Sequence, residues 1–390
     1  MTRWAVVGAG AAGCVVAARL AEAGHDVTLI EAGAGVAAVD ATADPDRMFE
    51  SQFPRGRGIG GSSAVNGMIA TPGDAAQYEQ WGWHDAGQAL ARVRVPLEVA
   101  RVDELSALDH ALLAAAPDAV RATLTRRHGR RVTAAEAYLD GSDVTVVADA
   151  EAVRVDLAGR RAVGVGLADG RCVAAEAVVV CAGAIGSPLL LRASGVDVPG
   201  IGQGLQNHPG LPVTVRLRHG ADGARPLVAG TLLRRDDIQL VPLHLGGPEE
   251  AVVLVMLMSP TGTGDVHDSA VGAVVDHVLS DHDHRRLDAG LDLAREVLAH
   301  PAMRGVVDDI DVGTAPDLVY HPTSTCRIGV VVDDDGAVVD HAGLFVADAS
   351  VFPGIPHANT YLPTLMLAER LAARITRRRA APPSTAAGGR

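Results

Sequence analysis

The six-residue run Gly8-Ala9-Gly10-Ala11-Ala12-Gly13 constrains this chain of 390 residues more than any other feature. Apolar residues 4–7 lead into it, a helical pattern over 14–23 follows, and a second apolar strand over 27–30 ends at Glu31. Strand, glycine turn, helix, strand and terminal acid, in that order, make a dinucleotide-binding unit. Each glycine has a separate duty. Gly8 allows the tight turn, Gly10 lets the backbone approach a pyrophosphate, and Gly13 lets helix and strand pack closely. The helix start, with Ala11 and Ala12, offers N–H groups and a positive dipole end to the phosphates. Glu31, followed by Ala32, can accept both hydroxyls of the adenosine ribose. The unit alone does not separate NAD from FAD. No second run of this kind follows a later strand, which argues against a reductase holding both.

Composition narrows the partners. Apolar residues make up 48% and charged residues 21%, the balance of a soluble globular protein. A formal net charge of −13 argues against nucleic acid and anionic membrane surfaces, which repel an acidic protein. Cys14, Cys172, Cys181 and Cys326 are scattered without a CxxC pair, which suggests a reducing compartment and excludes a redox dithiol motif. No apolar run approaches the roughly 20 residues of a membrane span, and residues 4–8 already read as strand and turn rather than as a signal peptide. The expected location is the cytoplasm.

Three further segments carry a resemblance. Residues 54–68, PRGRGIGGSSAVNGM, are too rich in glycine and serine for a core element, and their backbone could lie against a flat ligand. Residues 183–196, GAIGSPLLLRASGV, follow an apolar strand over 177–181, and Asp197 stands where a further glycine is usual. A third set runs from Tyr320-His321-Pro322 through Thr325-Cys326-Arg327 to Asp348-Ala349 and Asn359-Thr360. In this order they resemble the signatures of the glucose–methanol–choline (GMC) oxidoreductases, and the resemblance spans nearly the whole chain.

It implies an α/β fold, with a Rossmann-like FAD-binding domain of GMC type and a reduced, discontinuous α+β substrate domain. It implies FAD contacts at Gly60, Gly61, Ser62, Asn66, Gly67, Met68 and Ile69, at Ala152, at Asp348 and Ala349 on a strand end, and at Thr360 and Tyr361. Some members carry a flavin-linking histidine immediately before the asparagine of the first signature. Here Val65 occupies that place, so the FAD is expected to be non-covalent. A helix is expected from about Pro363 to Arg374, its positive end facing the flavin N1–C2=O region.

Oxidising an alcohol requires a proton acceptor, and imidazole serves near neutral pH. His321 matches the family's base, and Asn359 matches the second active-site position, where it would orient the substrate oxygen. His208 reads as a structural residue and His357 as a loop residue. The cluster Asp276, His277, Asp281, His282, Asp283 and His284 reads as a solvated turn before a helix over 286–299, with no metal required.

The FAD-binding domain is expected from residues 1–73, 140–215 and 319–377, the substrate domain from 74–139 and 216–318, and a disordered tail from 378–390. Both substrate segments are short for the family, which suggests an open site, or one completed by a second subunit in a homo-oligomer or by a partner protein. The preferred reading is oxidation of a small-molecule alcohol. A lyase of hydroxynitrile-lyase type with redox-silent FAD and a non-catalytic flavin-binding relative are the alternatives. The identity of the alcohol, and the electron acceptor (oxygen, quinone or protein), stay open at this level.

Overall fold

The glycine run joins strand β1 (Arg3–Val7) to helix α1 (Ala11–Glu22), which returns through β2 (Asp26–Ile30). The computed structural model describes residues 2–35, 55–218, 227–245, 249–269, 272–313 and 316–380. Further along come β3 (Thr145–Val147), a meander of β4 (Ala152–Ala158), β5 (Arg161–Leu167) and β6 (Cys172–Ala174), then β7 (Ala177–Val180) and α2 (Gly183–Ala193). The next strands are β8 (Pro209–Leu217), β9 (Thr231–Arg235), β10 (Ile238–Leu243) and β11 (Glu250–Leu257). The hairpin β12 (Thr263–Ser269) and β13 (Gly272–Val278) precedes helix α3 (Asp281–Ala299). Strands β14 (Val307–Val312) and β15 (Leu344–Val346) and helix α4 (Tyr361–Ala380) complete the main elements.

A parallel sheet in the order β15-β7-β1-β2-β3 forms the first layer. Its central strands are unbroken apolar runs because both of their faces are covered. Trp4 to Val7 and Ala177 to Val180 are all buried. Helix α1 packs against α4, and the β4–β6 meander packs against β7. The fold is thus Rossmann-like α/β.

The second sheet is antiparallel, with the path β14-β8-β11-β10-β9 and the short strand Val120–Arg121 at its edge. The period-2 alternation of its strands sends one set of side chains to a core under α3. Val213 and Val215 of β8, Leu240 of β10 and Val255 of β11 meet Leu287, Ala294 and Val297 there. Gly290 lets α3 sit close, since a methyl group on it would lie 2.9 Å from side-chain carbons of Ile238 and Val255. The alternate residues face the other way, into a cavity.

Local boundaries differ from expectation for identifiable reasons. Helix α3 begins at Asp281 rather than Arg286, because Ser280 caps it and Asp283 completes a capping box. Asp283 is fully buried and also accepts from the N–H groups of Thr261 and Gly262, at 2.9 and 2.7 Å. Helix α4 begins at Tyr361, two residues before Pro363, and runs to Ala380. Proline is accommodated within the first turn, where its missing N–H has no intrahelical partner to lose. The helix thus includes the start of the expected tail, whose residues 381–390 lie outside those described. Strand β8 crosses the boundary expected at residue 215 and pairs wholly within the second sheet.

Asp283→Ala should remove the Asp283 half of the capping box and the two loop contacts together, leaving the Ser280 cap in place. The expected loss is about 1–3 kcal/mol of stability, read as a lower denaturant midpoint with little change in slope.

Candidate active site

One cavity of about 850 Å³ runs from the glycine turn to the antiparallel sheet. At one end it is bounded by Gly8, Gly10, Ala11 and Ala12, where α1 begins with no side-chain cap and no acidic residue in its first turn. A methyl group on Gly10 would meet nothing within 4 Å, so this backbone faces open space shaped for another group. Gly13 and Gly60 do not line the cavity. A methyl group on Gly13 would stand 1.8 Å from the Gly8 carbonyl oxygen, so its absence lets the helix rest on the turn. Gly60 adopts φ +97° and donates its N–H to Ala9 O at 2.8 Å, holding the first-signature loop beside the turn. Gly61 does line the cavity, with room for no side chain, because a methyl group would lie 2.7 Å from Gly10 Cα.

Glu31 is buried at the cavity wall, next to Ala32. Its carboxylate accepts from the N–H groups of Ala9, Gly33 and Gly58 at 2.8, 2.9 and 3.0 Å. Burial pushes this carboxyl up from the usual range, with the three donors acting against it. A carboxylate has about four acceptor sites, so capacity for a ribose hydroxyl remains. Asp348 is also buried and accepts from Gly183 N, Ser187 Oγ and Ser350 N at 2.8, 2.5 and 2.8 Å. It therefore ties α2 to the loop after β15.

Ser62, Asn66, Gly67, Met68, Ile69, Ala152, Ala349, Thr360 and Tyr361 all stand on the same wall, as does Val65. Arg131 shapes this stretch, donating to Asn66 Oδ1 at 2.8 Å and to the carbonyls of Ser63 and Asn66 at 3.1 and 2.8 Å. The uncapped start of α1, the start of α4 with no acidic residue in its first turn, an acid at the end of β2 and an open glycine surface fit a dinucleotide with an anionic pyrophosphate.

His321 and Asn359 line the far part of the cavity. The Nδ1 atoms of His321 and His208 are 2.9 Å apart, and His208 Nε2 lies 3.2 Å from Pro356 O. A carbonyl can only accept, so Nε2 of His208 carries a proton and, in the neutral ring, its Nδ1 accepts. The proton between the rings then belongs to His321 Nδ1, which leaves the lone pair of His321 on Nε2. The backbone N–H of His321 donates to Asn207 Oδ1 at 3.0 Å, fixing the loop from below. Enclosure pushes the His321 imidazole down to about 4. Burial, then the neighbouring His321, drives His208 well below the ordinary histidine range.

Asn359 is held from two sides. Its Oδ1 accepts from Gln239 Nε2 at 3.1 Å, and its N–H donates to Thr71 Oγ at 3.1 Å. With the oxygen occupied, the amide NH₂ is the end left to serve a ligand. His357 does not line the cavity; its ring faces Asp74 at 3.9 Å. Among supports the sequence reading missed, Gln239 carried one signal, a lone amide within the apolar strand β10. Thr71 and Pro356 carried none, since a hydroxyl or a carbonyl in a loop is ordinary. The wall residues of α2, such as Gly183 and Leu190, lay within the second signature.

Residues 118–210 and 265–368 match two GMC oxidoreductase family profiles, and residues 6–52 match an NAD(P)-binding Rossmann-like domain. The chain is 27% identical to an oxygen-dependent choline dehydrogenase of Paraburkholderia xenovorans, over 96% of this chain and 94% of that protein. It is 28% identical to a GMC-type oxidoreductase of Rhodococcus erythropolis, over 94% and 97% of the two chains. The first alignment runs over 543 residues against 390 here, so this chain carries extensive deletions. Among solved structures, pyridoxine 4-oxidase from Mesorbium loti superposes with a TM-score of 0.86 at 22% identity, covering 96% and 99% of the chains. A formate oxidase variant of Aspergillus oryzae gives 0.86 at 19% identity, covering 97% and 99%.

The two glycines should respond differently to alanine. Gly10→Ala should fold with wild-type stability yet retain little flavin, because the methyl group enters the space of the ligand. Gly13→Ala should lose stability itself, by about 1–3 kcal/mol or more, because its methyl group meets backbone. Flavin absorbance per protein and unfolding midpoints of the purified variants check both.

Proposed function

The chain belongs to the GMC oxidoreductase family, and from that premise we propose that it oxidises the CH–OH group of an alcohol to a carbonyl. The observation that carries this reading is that His321 and Asn359 stand on the wall of the cavity that begins at the glycine turn. The cofactor is FAD, which when bound supplies the hydride acceptor. Val65 cannot form the histidine link known in some relatives, so the flavin is held without a covalent bond. In this reading the segments of the parallel sheet carry the dinucleotide and the antiparallel sheet carries the substrate.

His321 receives the hydroxyl proton on Nε2. His208 and the Pro356 carbonyl keep that atom unprotonated by holding the other ring nitrogen as a donor. The Asn359 amide donates to the substrate oxygen; Gln239 keeps the amide from rotating, and Thr71 anchors the backbone N–H of Asn359. Positioned acid–base groups of this kind contribute about 10²- to 10⁴-fold in rate.

Anaerobic mixing of the holoenzyme with its alcohol should bleach the oxidised flavin. Turnover that leaves the flavin oxidised would instead identify a lyase. His321→Ala should slow flavin reduction by about 10²- to 10⁴-fold. A variant that reduces as fast as wild type refutes the assignment of the base. The pH dependence follows from the lowered imidazole value: His321 is a free base above about 4 and is protonated below it. The apparent kcat/KM should therefore be flat through the neutral range and fall as pH drops through that value, with no limb near the ordinary histidine pKa.

A further inference from the structure

We propose that the alcohol is uncharged and carries a hydrocarbon or aryl tail, which lies along the cavity face of β8, β10 and β11. The inference rests on the alcohol-oxidising reading above and names its substrate class.

The argument is one of register. On the cavity face, Gly210, Met256 and Gln239 form one cross-strand row, and Pro212, Leu254 and Val241 form the next. Leu243 follows on β10, and Leu245 stands beyond it at the mouth, 58% exposed. The hydroxyl-handling groups gather at the first row. Gln239 bonds Asn359 there, and His208, which pairs with His321, directly precedes β8. From Gln239 to Leu243 the strand advances about 13 Å at roughly 3.3 Å per residue. A substrate with its hydroxyl at Asn359 and His321 would thus lay its remainder across Val241, Leu254, Pro212 and Leu243.

Among the described residues, no side chain on that wall could compensate a buried charge. The charged side chains among the described residues of the cavity are Glu31, Arg55, Glu151, Asp268 and Asp348, and none belongs to β8, β10 or β11. Glu31 and Asp348 are bonded within the dinucleotide end, and Asp268 stands on β12, which packs against α2. The charged residue in register with Gln239 is Arg234, a cation, and it does not line the cavity. A quaternary ammonium would need a carboxylate or an aromatic face. Of the cavity tyrosines, Tyr361 is at the start of α4 and Tyr320 is 59% exposed at the mouth. A polyol would need a hydrogen-bond partner for each hydroxyl, and the lining side chains Pro212, Leu254, Val241 and Leu243 supply none; Thr214, in register with Leu243 through Val252, does not line the cavity. Apolar tails alone gain from this surface.

The test uses the FAD-loaded full chain under anaerobic conditions, with straight-chain primary alcohols of increasing length, benzyl alcohol, choline and glucose. Reduction efficiency should rise about fourfold per added methylene until the wall is spanned. The best apolar alcohol should exceed choline and glucose by about a hundredfold. Equal or better reduction by choline or glucose, or no dependence on chain length, would overturn the inference and leave the alcohol-oxidising reading standing. Failure of every alcohol to reduce the flavin would refute that reading and the inference with it. Binding offers a readout independent of turnover. A tertiary alcohol with the preferred tail has no carbinol hydrogen to lose, and it should bind the oxidised holoenzyme with a negative heat-capacity change. Leu254→Asp should weaken that binding about tenfold or more, and Leu254→Met should retain it. Unchanged binding in Leu254→Asp, or loss in Leu254→Met with full flavin content, would contradict the proposed placement of the tail.

Discussion

Helix α1 rests on β1 at backbone contact, and the geometry of the cavity follows from that contact. Side chains at Gly8 and Gly13 would collide with Cys181 O and Gly8 O, at 2.6 and 1.8 Å respectively. Because both are absent, the helix starts directly over the end of the central strand, and its first N–H groups open toward the cavity. Glu31 then locks the arrangement, since its three N–H donors come from the glycine turn, from the loop after β2 and from the first-signature loop. Hydrogen bonds to a charged acceptor contribute about 1.5–3 kcal/mol each, so one side chain organises three segments.

The polar end of the cavity is built from partners distant in sequence. His321 is oriented through His208 and Pro356, and Asn359 through Gln239 and Thr71. His208 and Gln239 are fully buried, which makes their hydrogen bonds directional constraints rather than optional contacts. Gln239 belongs to the antiparallel sheet, whose cavity face is otherwise apolar beside it. One sheet therefore both holds the Asn359 amide and presents an apolar surface to the cavity, while its opposite face is buried under α3. The alternation of strand side chains lets a single layer perform both tasks.

Much of this was legible beforehand, for local reasons. The turn, its helix and the acid at the end of β2 are adjacent in sequence, so their spacing encodes their geometry. The misjudged boundaries were capping decisions. Ser280 and Asp283 extended α3 toward its N-terminus, and the first turn of α4 accommodated Pro363 in place of starting at it. The cluster of Asp and His before α3 includes the buried capping-box residue Asp283, which burial distinguishes from the exposed Asp281, His282 and His284, while Asp276 and the half-buried His277 belong to β13. Gly60 was expected at the ligand and stands behind the residues that line the cavity, as does Gly13, whose expected duty was close packing of helix on strand; that distinction is measured in ångströms that residue types do not carry.

By itself the sequence determined the dinucleotide unit around Gly8–Gly13, the α/β class, the GMC resemblance and the identity of the two candidate reacting residues, because each is written in residues close together or in a fixed motif. Only the tertiary structure decided which nitrogen of His321 holds the lone pair, what holds Asn359, and which face of β8, β10 and β11 lines the cavity. Those facts depend on hydrogen bonds between residues more than a hundred apart, as His208 to His321 and Gln239 to Asn359 are, and on the register among β8, β10 and β11. Strand register cannot be read from one strand, and a buried partner is recognised only when its neighbour is in place.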